Sequence, residues 1–599
     1  MSLSPRFTTR PELVGGFGMV AATNWLAAQS GMAMLERGGN AFDAAVAAAA
    51  VLEVVEPHQN GLGGEAPMII WSAADESVHV VDGQGPAPLA ATIGGFQDLG
   101  LTLVPGTGLL GACVPAAFGS LMFVLGRFGT MSLRDVLEPA IGYAERGFPV
   151  LPSLSATLDA VAVSMSTDWP TSAAIWLSHG VPAPGSRLTN RALAATFVRL
   201  IEEAEAAGVT REQQIEGARR SYYEGFVAEA IDRFAARPAR DADGVHAGFI
   251  TGHDLARWRA SLEEPSRVAF GDFEVCKTGP WGQGPVFLQQ LALLAGFDLA
   301  GMGADSADLV HLVAECAKLA FADREAFYGD PRFVEVPLEA LLSEAYASER
   351  RALVGQEASL DLRPGSPDGK PPKLPALVTQ SLTEARNGGA VDPRLGPPEG
   401  SHRAMRGDTC HLDVADRFGN LVSATPSGGW LQSSPVVERL GFCLGTRGQM
   451  FWLEEGLASS LAPGKRPRTT LSPGLALRDG RPYLAFGTPG GDQQDQWTLL
   501  AFLRHAVFGL DLQASIDSPS WHSNHMPSSF HPREAYPNQL VVEAELGADA
   551  IASLRRRGHS VIEAEPWTLG RVSAVSRGAD GFLRAGADPR AMQAYAVGR

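Results

Sequence analysis

The sequence predicts an α+β protein, and three of its features carry that expectation. Helix-period blocks fill residues 21–57, 115–147 and 190–235. Short alternating apolar runs recur beside Gly, Asp and Asn turn residues. A Pro- and Gly-rich stretch, residues 355–408, then separates this helix-rich part from a region dominated by strand patterns.

Taken in order, "NWLAAQSGMAMLERGG" reads as a helix ended by Gly38-Gly39. Asn40 then caps "AFDAAVAAAAVLEVV", which stops before Pro57. This second helix is apolar nearly all round, so it belongs inside a large core. "GLGGEAPMIIW" is a glycine-rich turn feeding a strand over Met68–Trp71, with "SVHVVDG" as its hairpin partner. It follows a helix and lacks GxGxxG spacing, which excludes a dinucleotide fingerprint. "SADLVHLVAECAKLAFADREAFYGDP" is a further helix with Leu309, Leu312, Val313, Cys316, Leu319 and Ala320 on one stripe. "LRPGSPDGKPPKLP" and "GGAVDPRLGPPEGSHRAMRGD" are poor in periodicity, and residues 355–408 read as a mobile surface segment or linker. Beyond them, "FCLGTRGQMFWL", "GLALRDGRPYLAFG" and "GRVSAVSRGADGFLRAGADPR" read as strands.

Composition narrows the class of partner. Apolar residues make up 45% and charged residues 19%, as in ordinary globular chains. A formal charge of −17 argues against nucleic acid or an anionic membrane as partner. Ala44–Val55, the most apolar run, contains Glu53 and is shorter than the ~20 residues that span a bilayer. The N-terminus has no apolar signal segment, so a soluble, cytoplasmic protein is expected. The five cysteines are scattered without a CxxC pair, which gives neither a disulfide framework nor a zinc ribbon.

The stretch "GDTCHLDVADRFGNLVSATPSGGW", residues 407–430, is the one that suggests chemistry. With period two, Thr409, His411, Asp413 and Ala415 share one face, and Cys410, Leu412 and Val414 the other. Asp416–Asn420 supplies a turn and Leu421–Thr425 a returning strand. Adjacent strand residues face opposite ways, so Cys410 and His411 form no catalytic dyad. Cys410 reads as core. A flexible segment ending at Asp408-Thr409, with a fresh strand beyond, has the form of a processing site. It divides the chain into residues 1–408 and 409–599.

Six ordered blocks resemble the γ-glutamyltransferase (γ-glutamyltranspeptidase) family of N-terminal-nucleophile hydrolases. They are "GMVAATNWLAAQSGMAMLERGGNAFDAAVAAA", "EPHQNGLGGEAPMIIW", "HLVAECAKLAFADREAFYGDP", "DTCHLDVADRFGNLVSAT", "GKRPRTTLSPGLALRDGRPYLAFGTPGG" and "GADPR". The resemblance implies a four-layer αββα sandwich built jointly by both pieces of a self-cleaved precursor. Length alone would suggest several domains; the resemblance replaces them with one interleaved domain.

The resemblance also assigns roles. Thr409 aligns with the family's nucleophile. A threonine hydroxyl becomes an effective nucleophile when its own free α-amine takes its proton, which requires a cut between Asp408 and Thr409. Gly490 and Gly491 in "FGTPGGDQ" match the family's oxyanion-holding pair. Thr425 and Ser427 lie on the returning strand as support for the nucleophile. Thr469 and Thr470 match two substrate-contacting hydroxyl residues. No cofactor is called for, and the expected partners are a small-molecule amide and the two pieces of the precursor.

The glutamyl clamp departs from the family pattern. Gln84 stands where an arginine holds the substrate α-carboxylate, and a neutral amide cannot replace a guanidinium fork. Gly429, beside Trp430, stands where an asparagine is usual. The stretch expected to supply acids for the α-amine, "GFCLGTRGQMFWL", has none and carries Arg447 instead. Trp430, Phe451 and Trp452 make this region aromatic. One expectation is that Arg447 has taken over a substrate carboxylate, as in an amide of a dicarboxylic or keto acid. The family by itself implies γ-glutamyl transfer or glutathione hydrolysis; the residues favour an amidohydrolase or acylase for a non-glutamyl amide. An uncleaved, inactive binding protein is the reading from another class. His522, His525 and His531 sit in a loop-like run without an acid to complete a ligand set, so no metal site is expected.

Overall fold

The structure, a computed structural model, describes residues 7–380 and 408–599. Two seven-stranded sheets organise it. Their strands are β1 (Leu13–Gly15), β2 (Gly18–Ala22), β3 (Met68–Ser72), β4 (Ser77–Val81), β5 (Leu262–Glu263), β6 (Ser266–Phe270) and β7 (Phe273–Lys277). Past residue 408 come β8 (Leu412–Asp416), β9 (Leu421–Ala424), β10 (Gly474–Arg478), β11 (Arg481–Gly487), β12 (Ser573–Arg577), β13 (Leu583–Ala587) and β14 (Tyr595–Gly598). One sheet runs β14-β2-β8-β9-β3-β4-β5, the other β1-β13-β12-β11-β10-β7-β6. Both combine strands from before and after the 355–408 region.

Alternation along the strands sets the cores. Val20 and Ala22 of β2, Met68 and Ile70 of β3, and Leu412 and Val414 of β8 pack on helices α1 (Trp25–Glu36) and α2 (Ala41–Val55). Their neighbours Met19, Ala21, Ile69 and Ala415 face Leu475, Ala485 and Val575 of the second sheet. The other face of that sheet, with Val275, Ala476 and Phe486, packs against Leu288, Leu291, Val313 and Leu499 from helices over Gly284–Leu294, Ala307–Phe327 and Gln494–Ala506.

The local signals act as expected. Asn40 accepts from Phe42 and Asp43 amides, while Asp43 returns the bond to the Asn40 amide, a complete capping box. Gly38 takes φ 98 beyond the end of α1. The β10–β11 hairpin turns on Asp479 (φ 51) and Gly480 (φ 72), the conformation that a two-residue turn of this kind requires. Asp416 closes the β8–β9 turn by accepting from the Phe418 and Asn420 amides, and it also accepts from the Ala41 amide at the start of α2.

Three expectations differ from the structure. Residues 18–22 form β2, so the first helix starts later than residue 21. "FCLGTRGQMFWL" is no strand: isolated bridges and a 3-10 turn over Arg447–Met450 carry it, because its glycines interrupt any ladder. Residues 355–380 are tied down: the Gly365 amide donates to Asp323 (2.7 Å), the Ala376 amide to Glu454 (2.8 Å), and Val378 packs on Trp452 and Leu457. The remainder of that segment, 381–407, lies outside the described residues. Among the described residues no helix is long and apolar enough to cross a membrane.

All of α2 is buried, including Glu53, whose two carboxylate oxygens find no hydrogen-bond donor among the described residues. Burial pushes its carboxyl up to about 8. A folded-state value above the unfolded one means the folded chain holds an extra proton between about pH 4.5 and 8. Stability therefore falls as pH rises through that window, by ~1.4 kcal/mol per unit at most. Glu53→Gln is expected to remove this slope. Its melting midpoint should match wild type near pH 5 and exceed it at pH 8; parallel pH profiles would contradict the assignment.

Candidate active site

The β8–β9 hairpin continues one bridge beyond its ladder, pairing Thr409 with Ser427, and Ser427 in turn pairs with Glu65. That places three chain segments side by side. Thr409 Oγ1 lies 3.2 Å from Ser427 Oγ, and Ser427 Oγ donates to the carbonyl of Asp408 at 3.0 Å. The Trp430 indole N–H donates to the same carbonyl at 2.7 Å and to Gln59 O at 2.9 Å. The peptide carbonyl directly before Thr409 thus receives two donors, and one of them touches the Thr409 hydroxyl. Ser427 also accepts from Arg447 Nη2 at 2.8 Å.

Arg447 is fully buried, paired with Glu65 through its Nε and Nη2, and stacked over Trp430 with its guanidinium 5.0 Å from the ring centroid. This corrects the expectation that Arg447 meets a substrate carboxylate: its fork is already filled by an internal one. Glu65, 382 positions away in sequence, supplies the acid that "GFCLGTRGQMFWL" lacks. Phe451 and Trp452 turn into separate apolar clusters, so that of the three only Trp430 lies against Arg447, where Phe530 joins it.

Thr425 points elsewhere. Its hydroxyl meets His411 Nδ1 at 3.0 Å, His411 Nε2 meets Asp413 at 2.9 Å, and Asp413 accepts from Ser573 at 2.7 Å. This buried chain of polar groups ties β8 to β9 and β12. Cys410 packs in the core as expected, and its thiol also donates to Glu56 (2.9 Å), which accepts from Thr23 as well (3.0 Å). Burial pushes Glu56 up to about 7 and the Cys410 thiol well above its usual range.

Gly490 (φ 122) and Gly491 (φ 57) both lie in the left-handed region. A Cβ on Gly490 would sit 2.2 Å from the Trp497 ring, and one on Gly491 2.9 Å from Phe530. Gly490 and Asp408 line one cavity of about 350 Å³, together with His58, Gln59, Ser153 and Arg571. Arg571 pairs with the Asp408 side chain and donates to Gln59 Oε1 at 2.8 Å. Gly429 (φ 66) passes 3.1 Å, measured at its would-be Cβ, from Gly64 N and Cys443 O, so a larger residue would be strained and would crowd that backbone. Gln84, Thr469 and Thr470 are buried. The Gln84 carbonyl oxygen and the Thr470 hydroxyl have no hydrogen-bond partner among the described residues.

The loop histidines do not converge. His522 packs edge-on to Trp497, His525 bonds the Asn538 amide and Asp361 O, and His531 approaches Asp243. His311, Glu315 and His559 do bring ligand atoms within 4.8 Å of one another. Glu315, however, is already paired with Lys318 and Arg363, and the two rings bond each other at 2.9 Å.

A family model described as γ-glutamyltranspeptidase matches residues 27–598. The chain belongs to the γ-glutamyltranspeptidase family. It is 32% identical to the acylase ACY 1 proenzyme of a Pseudomonas species, over 96% of this chain and 93% of that one. It is 31% identical to the oxamate amidohydrolase proenzyme of Klebsiella pneumoniae, over 97% and 99%. The solved structure of LmbA2991HD superposes with a TM-score of 0.93 at 52% identity, covering 99% of this chain and 100% of that one. The chain is an enzyme of this γ-glutamyltranspeptidase family, a self-processing hydrolase of amide bonds. Reading the sequence alone missed three of the residues at the junction. Glu65 is the next-to-last residue of "GLGGEA", Gln59 lies in "EPHQN", and Arg571 is the lone charge ahead of the strand run "VSAV". Only that lone cation was a visible signal.

Proposed function

We propose that the chain is severed between Asp408 and Thr409 and that Thr409 then hydrolyses, or transfers the acyl group of, an amide that is not a γ-glutamyl compound. What carries this reading is the Asp408 carbonyl, which holds hydrogen bonds from Ser427 and Trp430 while the Thr409 hydroxyl lies against Ser427. Severing forms a bond from Thr409 Oγ1 to the Asp408 carbonyl carbon and breaks the C–N bond; the nitrogen keeps its own proton and takes the one lost by the hydroxyl, and water then opens the ester. The freed α-amine afterwards takes the Thr409 hydroxyl proton as the hydroxyl attacks substrate and passes it to the leaving amine. Water or a second amine releases the acyl group. Gly490 and Gly491 supply the donors for the developing oxyanion, Thr469 and Thr470 line the substrate path, and no cofactor takes part. The two pieces remain one interleaved four-layer αββα body, a reading supported by the three cores between and outside the two sheets.

The altered clamp speaks for the substrate. Gln84 replaces the arginine of the family's carboxylate contact, Gly429 replaces its asparagine, and Arg447 is filled by Glu65. Each missing charge-assisted bond costs ~1.5–3 kcal/mol, about tenfold or more in affinity. That the relatives named above are an acylase and an amidohydrolase agrees with this. The test is a denaturing gel with N-terminal sequencing, followed by assays on a γ-glutamyl anilide and on simple acyl anilides. Two bands, the smaller beginning at Thr409, with preference for the simple acyl group, are expected. One full-length band with no turnover would favour the uncleaved binding protein.

Trp430→Phe keeps the ring over Arg447 and removes one donor from the Asp408 carbonyl. Self-cleavage is expected to slow by about 10²-fold, the usual cost of losing one oxyanion donor. A time course of band conversion after rapid expression measures it, and an unchanged rate would rule out this role.

A further inference from the structure

We propose that Arg571 is the receptor for a carboxylate on the acyl portion of the substrate, and that monoamides of four-carbon dicarboxylic acids are preferred. This rests on Thr409 being the nucleophile. In severing its own chain, Thr409 takes the Asp408 carbonyl, so Asp408 is the first acyl group the site handles. From the attacked carbonyl the skeleton runs through Cα and Cβ to a carboxylate, which is a succinyl group carrying one extra substituent. That carboxylate is seated on Arg571 Nη2.

Arg571 differs from Arg447 in what else holds it. Its other bonds go to neutral groups: Nη1 to Gln59 Oε1 at 2.8 Å, and its amide to Thr488 Oγ1 at 3.1 Å. Among the described residues Asp408 is its one ion-pair partner. Glu56, another carboxyl whose charge reaches Arg571, is committed to Thr23, Cys410 and Gln593. Once the Asp408 end is cut free and withdraws, a guanidinium without a carboxylate remains on the wall of the 350 Å³ cavity, which Gly490 also lines. Gly490 and the cation then share one cavity with the position Asp408 has left. A guanidinium fork matches a carboxylate in shape as well as charge.

The experiment uses cut wild-type protein and three anilides that differ in the acyl group: succinyl, succinamoyl (the terminal carboxylate replaced by its neutral amide) and γ-glutamyl. The expected result is a kcat/KM about 10–100-fold higher for succinyl than for succinamoyl. Succinate should also inhibit more strongly than succinamide by a similar factor. Arg571→Met, in whatever fraction is cut, should erase the succinyl preference; the wild-type comparisons stand whether or not that variant folds. A wild-type ratio near one, or equal inhibition by succinate and succinamide, overturns the proposal. Continued turnover of succinamoyl anilide by cut protein would then leave the Thr409 reading standing. Turnover by protein that remains uncut at Thr409 would instead defeat both.

Discussion

Thr409→Ala is expected to give a single uncut chain with amide turnover lowered by at least about 10³-fold. The methyl group removes the atom that attacks in both reactions, and no neighbour is placed to substitute. Cys410 shares the backbone but points the other way, into the core, where its thiol is held by Glu56 and Asn60. Burial also keeps that thiol protonated far above neutral pH. Ser427 has the only hydroxyl bonded to the Asp408 carbonyl among the described residues, but an interior serine lacks an α-amine to take its proton. Intact-mass measurement and anilide hydrolysis together decide the matter. A Thr409→Ala chain that still yields two pieces, or still turns over amides, would remove the basis for the proposed mechanism. Thr409→Ser should retain both reactions at reduced rate, because it keeps the hydroxyl and the amine.

Glu65→Gln is expected to destabilise the folded chain by ~3–5 kcal/mol, the range for removing one partner of a buried ion pair. Arg447 would keep its charge with its carboxylate gone, flanked by Trp430 and Phe530 and left with neutral acceptors: the new amide oxygen, the Ser427 hydroxyl and Met450 Sδ. Replacing both members, as in Glu65→Met with Arg447→Leu, should recover much of the loss, since no unpaired charge remains. Urea unfolding midpoints of the two single variants and the double variant form the cycle. Single variants as stable as wild type would mean that the pair is not buried as described. Self-cleavage should suffer in the double variant even where stability returns, because Ser427 loses the donor that fixes its hydroxyl.

What the sequence made legible follows from how local each signal is. The β8–β9 hairpin and the Asn40 cap depend on neighbours a few residues apart, and each has the predicted form. Strand β2 was hidden because its small apolar residues run into the helix that Asn24 caps, and short apolar runs fit either period. The partner of Arg447 lies 382 positions away and that of Arg571 lies 163 positions away, beyond any pattern in the chain. For the same reason Arg447 looked free to receive a ligand when it is not. Chemistry at Thr409 could be inferred from ordered motifs; which cations remain open to substrate is a property of long-range packing.

The order of strands in the two sheets bears on what happens after the backbone is nicked. Five strand-to-strand seams join segments from opposite sides of residue 408: β14 to β2, β2 to β8 and β9 to β3 in one sheet, and β1 to β13 and β10 to β7 in the other. Separating the fragments would mean unzipping all five together. The mature particle should therefore hold its fragments in strict one-to-one proportion, refuse to swap them with a labelled copy, and fail to reassemble from fragments produced apart. Maturation acts as a ratchet, with the assembly instructions spent before the nick is made.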